Sequence, residues 1–203
     1  MQKINYQREL DKLIASLDVT PRLLLHSCCA PCSSYCLEYL SQYFEITVLY
    51  YDPNIYPEEE FRKRAEEVRR LISEMPLKNP VTLVVDDYDP EEFFDSVKGL
   101  EDAPEGGERC FVCYRLRLER AARYAAEHGF DYFCSTLSIS PLKNAQKLNE
   151  IGAELSEIYK VVSLPNDFKK KGGYLRSIEL SREYELYRQN YCGCVYSKEK
   201  GRD

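Results

Sequence analysis

Nowhere does the sequence carry an apolar run approaching the roughly 20 residues of a membrane-spanning helix, and this excludes a helical span. The opening stretch MQKINYQRELDKLIASL has apolar residues at helical spacing and no secretory apolar core. The expected compartment is therefore the cytoplasm. Positive charge is not in excess: the formal net charge is −6, which excludes a globally basic nucleic-acid binder but leaves room for a local basic patch. Tryptophan is absent while tyrosine occurs 17 times. Tyrosines at core edges are the first reading of that balance, and stacking surfaces for bases the second. Internal repeats and low-complexity tracts are also missing. What remains is 203 residues, enough for one domain with its own core.

The order of elements gives the fold class. Residues 2–17 suggest a helix, RLLLHS (22–27) a short apolar strand, and APCSSYCLEYLSQY (30–43) a helix with Pro31 in its first turn. EITVLYYD (45–52) is a second strand and DPNIYP a turn. Residues 57–75 form a helix with glutamates at its start and arginines further along. VTLVVDD (81–87) is a third strand, 89–100 a helix, 101–109 a loop, and 110–129 a helix ended by Gly129. FDYFCSTL (130–137) is a fourth strand, 141–158 a helix, YKVVSL (159–164) a weaker fifth strand, and 174–194 a closing helix. Strands alternating with helices predict a single α/β, Rossmann-like domain over 1–203, with a mainly parallel sheet flanked by helices. Ligands of such sheets bind beyond the carboxyl ends of the strands. His26, Cys28 and Cys29 end the first strand, Asp52 the second, Asp86 and Asp87 the third, Ser135 and Thr136 the fourth.

Nine cysteines are present, and a reducing compartment favours metal binding or catalysis over a disulfide framework. They fall into three groups: Cys28, Cys29, Cys32 and Cys36; Cys110 and Cys113; Cys192 and Cys194. Cys134 stands alone on a strand and reads as a buried apolar residue. A C-x-x-C pair can turn two sulfurs to one side, and four sulfurs fit zinc or an iron–sulfur cluster. The surplus over four favours a cluster with a second metal or with reactive thiols. Neighbouring Cys28 and Cys29 are expected to diverge, one sulfur to each of two nearby centres. The helix start that follows favours thiolate. Cys32 and Cys36 are open as extra ligands, a redox pair or core filling, the last being preferred. His26 reads as a core histidine first, with proton donor or ligand as the alternative. His128 reads as a helix-end residue. Asp52 either shapes its turn or offers a hard oxygen ligand.

HSCCAPCSSYC, YYDPNIYP, ERCFVCYRLRLERAA, FCSTLSISPLKN and DFKKKGGYLRSIELSREYELYRQNYCGC together resemble the QueH family of epoxyqueuosine reductases, from about residue 22 to 197. The resemblance implies a tRNA-modifying oxidoreductase that converts epoxyqueuosine at the wobble position to queuosine. It implies a 4Fe–4S cluster with an adjacent metal ion, iron or zinc. Carried onto this sequence, it assigns Cys29, Cys110, Cys113 and Cys192 to the cluster, and Cys28, Asp52 and Cys194 to the ion. His26 or Tyr114 is the expected proton donor. Given the family, Lys169, Lys170, Lys171, Tyr174 and Arg176 are expected to contact RNA, and 138–144 to line a nucleoside pocket. The partners are then tRNA and an electron donor that the residues do not identify.

Three rival readings each carry a distinguishing property. A zinc-stabilised tRNA-binding module would be colourless and would lack a reducible cluster. A thiol–disulfide reductase using Cys32 and Cys36 would work without metal. An ATP-dependent tRNA thiolase needs a glycine-rich phosphate loop after the first strand, where SCCAPC stands instead.

Overall fold

The computed structural model describes residues 4–198. The ends of the expected domain, 1–3 and 199–203, lie outside the described residues, as does the start of the first expected helix. Five strands form one sheet in the order β3-β2-β1-β4-β5, with every pairing parallel. They are β1 (Arg22–Ser27), β2 (Glu45–Tyr50), β3 (Val81–Val85), β4 (Tyr132–Ser135) and β5 (Val162–Ser163). The helices are α1 (Tyr6–Ala15), α2 (Ala30–Leu40), α3 (Glu58–Glu74), α4 (Pro90–Ser96), α5 (Glu108–Glu127), α6 (Ala145–Tyr159), α7 (Gly173–Glu183) and the short α8 (Val195–Lys198). The α/β, Rossmann-like expectation stands.

β1 lies at the centre of the sheet because its side chains are apolar on both faces. Leu23 and Leu25 join a core with Leu37 and Leu40 of α2 and Val68 and Leu71 of α3. Leu24 faces the other way, into a core with Leu118 and Ala122 of α5 and Leu155 of α6. All three leucines are fully buried, and each such burial is worth about 1.5–3 kcal/mol relative to exposure. The period-two alternation of one strand thus feeds both helical layers.

The direction of strand addition fixes where a site can form. From β1 the chain adds β2 and then β3 to one side, then returns to place β4 and β5 on the other. The order reverses between β1 and β4, so the following connections part there and leave a crevice. The β1–α2 turn carries Cys28 and Cys29 to its edge. Beyond β4, a 3-10 turn (Thr136–Ile139) replaces the last residues of the expected strand.

The end of the chain departs most from expectation. α7 stops at Glu183, and 184–194 is irregular. The stop is a Schellman turn. Leu186 N donates to Ser181 O and Glu185 N to Arg182 O, with Glu185 at φ 49°. The start of α7 depends on close approach: a Cβ on Gly173 would lie 2.0 Å from Phe168 O and 2.4 Å from the Tyr35 ring. Gly173→Ala is therefore expected to cost about 1–3 kcal/mol through overpacking, read as a lower urea midpoint with an unchanged slope.

Candidate metal centre

Three stretches distant in sequence meet at the crevice. The sulfurs of Cys28, Cys29 and Cys32 lie within 4.8 Å of one another, a spacing that can hold a metal ion. With Cys192 they line a cavity of about 350 Å³. A smaller cavity of about 20 Å³ adjoins it, lined by Cys110, Cys113, Cys192 and Cys194. Cys192 therefore borders both.

Two sequence readings change here. Cys28 and Cys29 do not diverge: their sulfurs are 3.8 Å apart. The alternation that separates neighbours holds only within a strand, and β1 ends at Ser27, so both residues belong to the turn into α2. Cys32 does more than fill the core: it packs against the leucine-rich core from its edge and, in the first turn of α2, also lines the same cavity. Cys36, one turn on, is fully buried in the leucine-rich core, so it offers no accessible partner for a redox pair. Cys134 is buried as expected.

The Cys28 and Cys32 thiols both donate toward Cys29, which lowers its pKa well below the usual thiol value. The same interactions raise Cys28, and raise Cys32 well above that value. At the smaller cavity, burial pushes Cys113 up to about 12 and Tyr114 up to about 12.

Cations surround these sulfurs. Arg117, 1% exposed, lies on α5 one turn beyond Cys113 and borders both cavities. Its Nη1 donates to Asp52 Oδ1 at 3.1 Å and its Nε to Cys113 O at 3.2 Å. Burial lowers the guanidinium's pKa, but Cys113, Asp52 and Cys192 more than offset it and hold that pKa well above the ordinary value. Lys143 Nζ donates to Cys192 Sγ at 3.1 Å. Arg64 of α3 donates to Glu60 at 2.7 Å and to Cys192 O at 3.2 Å.

The remaining expected site residues separate into wall, support and surface. Tyr114 lines the small cavity, and its buried hydroxyl has no hydrogen-bond partner among the described residues. Asp52 and His26 are buried but border neither cavity. Asp52 meets the crevice through Arg117, and its Oδ2 has no hydrogen-bond partner among the described residues. His26 Nε2 donates to Tyr51 O at 3.0 Å, since a carbonyl only accepts, and Nδ1 pairs with Ser135 Oγ at 2.8 Å. Of the five residues expected to meet RNA, Tyr174 lines the large cavity. Lys170 and Lys171 are exposed, and Lys171 pairs with Asp11 at 2.6 Å. Lys169 is held by Asp167 at 2.7 Å and Arg176 by Glu38 at 2.6 Å. The 138–144 stretch supplies Ile139, Ser140, Pro141, Leu142 and Lys143 to the cavity wall. Sequence reasoning does not reach Arg117, Arg64 or Gln189 at this site, and it reaches Lys143 only as part of 138–144. Only Arg117 carried a local signal, its i,i+4 spacing from Cys113 on one helix face.

A parallel α/β sheet with a cysteine-lined crevice at its switch point defines a Rossmann-like protein equipped to hold metal. The family model described as epoxyqueuosine reductase QueH matches residues 23–200. Proteins named epoxyqueuosine reductase QueH are 48% identical over 97% of this chain and 79% of the relative from Streptococcus pyogenes serotype M1. The Staphylococcus epidermidis relative is 45% identical over 98% of this chain and 87% of its own length. The one from Thermotoga maritima is 36% identical over 86% and 89%. The chain belongs to the epoxyqueuosine reductase QueH family, a family of oxidoreductases.

Removing the buried guanidinium leaves Asp52 and the sulfurs uncompensated. Arg117→Leu is expected to lower unfolding free energy by about 3–5 kcal/mol, measured by urea titration of the metal-free protein. A loss within ~0.5 kcal/mol, typical of surface substitutions, would show that the charge is not needed.

Proposed function

We propose that this chain reduces the epoxide of epoxyqueuosine in tRNA to the alkene of queuosine, in the cytoplasm, as one α/β metalloenzyme domain. The observation that carries the reading is the pair of adjoining cysteine-lined cavities sharing Cys192 at the sheet's switch point. Family membership supports the substrate. No helix among the described residues is long and apolar enough to cross a membrane.

The residues fit an anionic metal–sulfur centre. Buried Arg117 and nearby Lys143 need more negative charge than Asp52 alone provides. The unpaired Oδ2 of Asp52 is a free hard donor. On this reading Cys29, Cys110, Cys113 and Cys192 hold a 4Fe–4S cluster, and Cys28, Asp52 and Cys194 hold the neighbouring iron or zinc. Cys32 belongs in the same donor set by its contact with Cys28 and Cys29.

Opening an epoxide to an alkene and water takes two electrons and two protons. Bound here, the cluster would supply single electrons and the ion a Lewis acid for oxygen. The chain's own groups do the rest. Arg117 and Lys143 favour deprotonated sulfurs. Tyr114 holds a proton at its hydroxyl on the cavity wall. His26, tied to Ser135 and to the Tyr51 carbonyl, supports the strand ends around Asp52. Tyr174 stacks on a base and exposed Lys170 meets the tRNA backbone, while Lys169, Lys171 and Arg176 reach phosphate by exchanging their carboxylate partners Asp167, Asp11 and Glu38 for it. A separate electron donor completes the cycle.

Anaerobically purified protein should be brown, with about four to five irons per chain. Asp52→Asn keeps an acceptor for Arg117 but loses the second carboxylate oxygen. Its turnover should fall by roughly 100-fold with the cluster absorption retained. A colourless zinc protein would remove the reduction reading, and normal turnover of Asp52→Asn would make Asp52 a turn residue only. Affinity for tRNA, measured from 50 to 200 mM salt, should fall on a log–log line of negative slope as phosphate contacts release counterions; a flat line would remove the basic patch.

A further inference from the structure

Among the described residues, four cationic side chains line the large cavity: Arg64, Arg117, Lys143 and Arg188. Arg64 is paired with Glu60, Arg117 with Asp52, and Lys143 donates to Cys192. Arg188 is exposed and has no ion pair among the described residues. Its guanidinium is nevertheless anchored. Nη1 donates to Ser181 Oγ at 3.1 Å. Ser181 is buried, and its own hydroxyl proton goes to Ser177 O at 2.6 Å, so the oxygen is turned to accept. The chain just before Arg188 is pinned as well, by Leu186 N on Ser181 O and Tyr187 N on Glu67 Oε1, each at 2.8 Å.

A guanidinium carries its donors in a planar fork. With Nη1 anchored, the Nε–Nη2 edge keeps two parallel N–H groups that bond nothing among the described residues. Such an edge matches two oxygens of one phosphate. Its place suits the backbone of an inserted nucleotide. Tyr174, Ser177 and Ser181 follow the spacing of one face of α7, and the first two line the cavity together with Arg188. A volume of about 350 Å³ accommodates a nucleoside-sized ligand, so the phosphates on either side of that nucleoside stay at the exposed mouth. Lys169, Lys171 and Arg176 must each give up a carboxylate to bind phosphate. Arg188 gives up nothing.

We propose that Arg188 is a phosphate-binding residue whose Nε–Nη2 edge takes a phosphodiester adjoining the wobble nucleotide and so positions that nucleotide in the cavity. The assignment rests on the tRNA reduction proposed above and adds the group that fixes the strand. A free nucleotide carries the same phosphate chemistry, and AMP is therefore the control ligand.

The test measures binding to the reconstituted full-length protein of tRNA carrying epoxyqueuosine, of the epoxyqueuosine nucleoside, of its 3′,5′-bisphosphate, and of AMP. Wild type is expected to hold the bisphosphate roughly tenfold more tightly than the nucleoside. Arg188→Gln should bring that ratio toward one with unchanged affinity for the nucleoside, and should flatten the log–log salt slope for tRNA by about 0.7–0.9. Arg188→Lys should keep the slope and recover only part of the ratio, since an ammonium is a point charge and not a fork. Arg188→Gln with the wild-type ratio or the wild-type slope overturns the assignment, as does an equal loss for nucleoside and bisphosphate. Binding of AMP as tight as that of the bisphosphate, and lost in Arg188→Gln, overturns it in favour of a free-nucleotide site. Wild-type turnover is measured alongside. If wild type turns over and Arg188→Gln binds every ligand as wild type does, only the role of Arg188 falls. If wild type neither turns over nor binds the tRNA, the reduction reading falls and the assignment falls with it.

Discussion

Sulfurs that ionise close together in a crevice repel one another, and the surrounding cations make their grouping tolerable. Arg117 is the centre of that compensation. It rises from α5, bonds the Asp52 carboxylate beyond β2, and borders both cysteine-lined cavities. Burying one unpaired ion costs several kcal/mol even after relaxation. Without Asp52 and the polarisable sulfurs near it, the buried guanidinium would stand uncompensated. Lys143 repeats the logic from the opposite wall by donating to Cys192. The positive groups come from α5 and from the turn after β4, while the sulfurs come from the β1–α2 turn, α5 and the chain's last segment. Charge neutrality therefore requires all of these elements to be in place together.

The switch point explains why such a site forms in a chain with an ordinary core. β1 is buried on both faces, and its apolar run ends where His26 and Ser27 become polar. His26 then links three neighbouring strand ends through Ser135 and the Tyr51 carbonyl. This polar seam turns backbone and side-chain groups inward where helices no longer cover the sheet. It also accounts for a histidine that is fully buried yet borders neither cavity. Its geometry is that of a brace.

Much of the sheet was legible because parallel strands buried on both faces are continuous apolar runs. RLLLHS matched β1 at both ends. The segments that bring cysteines together were legible from their clustering at element ends. Which sulfurs would share a cavity was not, because that depends on the turn at Cys28 and Cys29 rather than on spacing. The closing helix was overextended for a specific reason. Leu180, Tyr184, Leu186 and Tyr187 keep an apolar spacing compatible with a helix, but Glu185 adopts the left-handed conformation that normally announces itself as glycine. The cations were the least legible. Lys143 sits in a loop whose fold alone brings it to Cys192.

That early stop of α7 is also what makes the site possible. A helix continued through 194 would turn Cys192 and Cys194 by its own period, about 200° apart at 100° per residue. The irregular segment instead lets both sulfurs border one small cavity. It is held by contacts that involve no metal. Tyr56 N donates to Gly193 O at 3.0 Å, and Arg64 Nη1 donates to Cys192 O at 3.2 Å. Gly193 sits at φ 102° with room for no side chain, since a Cβ would lie 2.8 Å from Ile55. The loop is therefore positioned by β2's following turn and by α3. A site preorganised in this way spends less of its binding energy on ordering the chain.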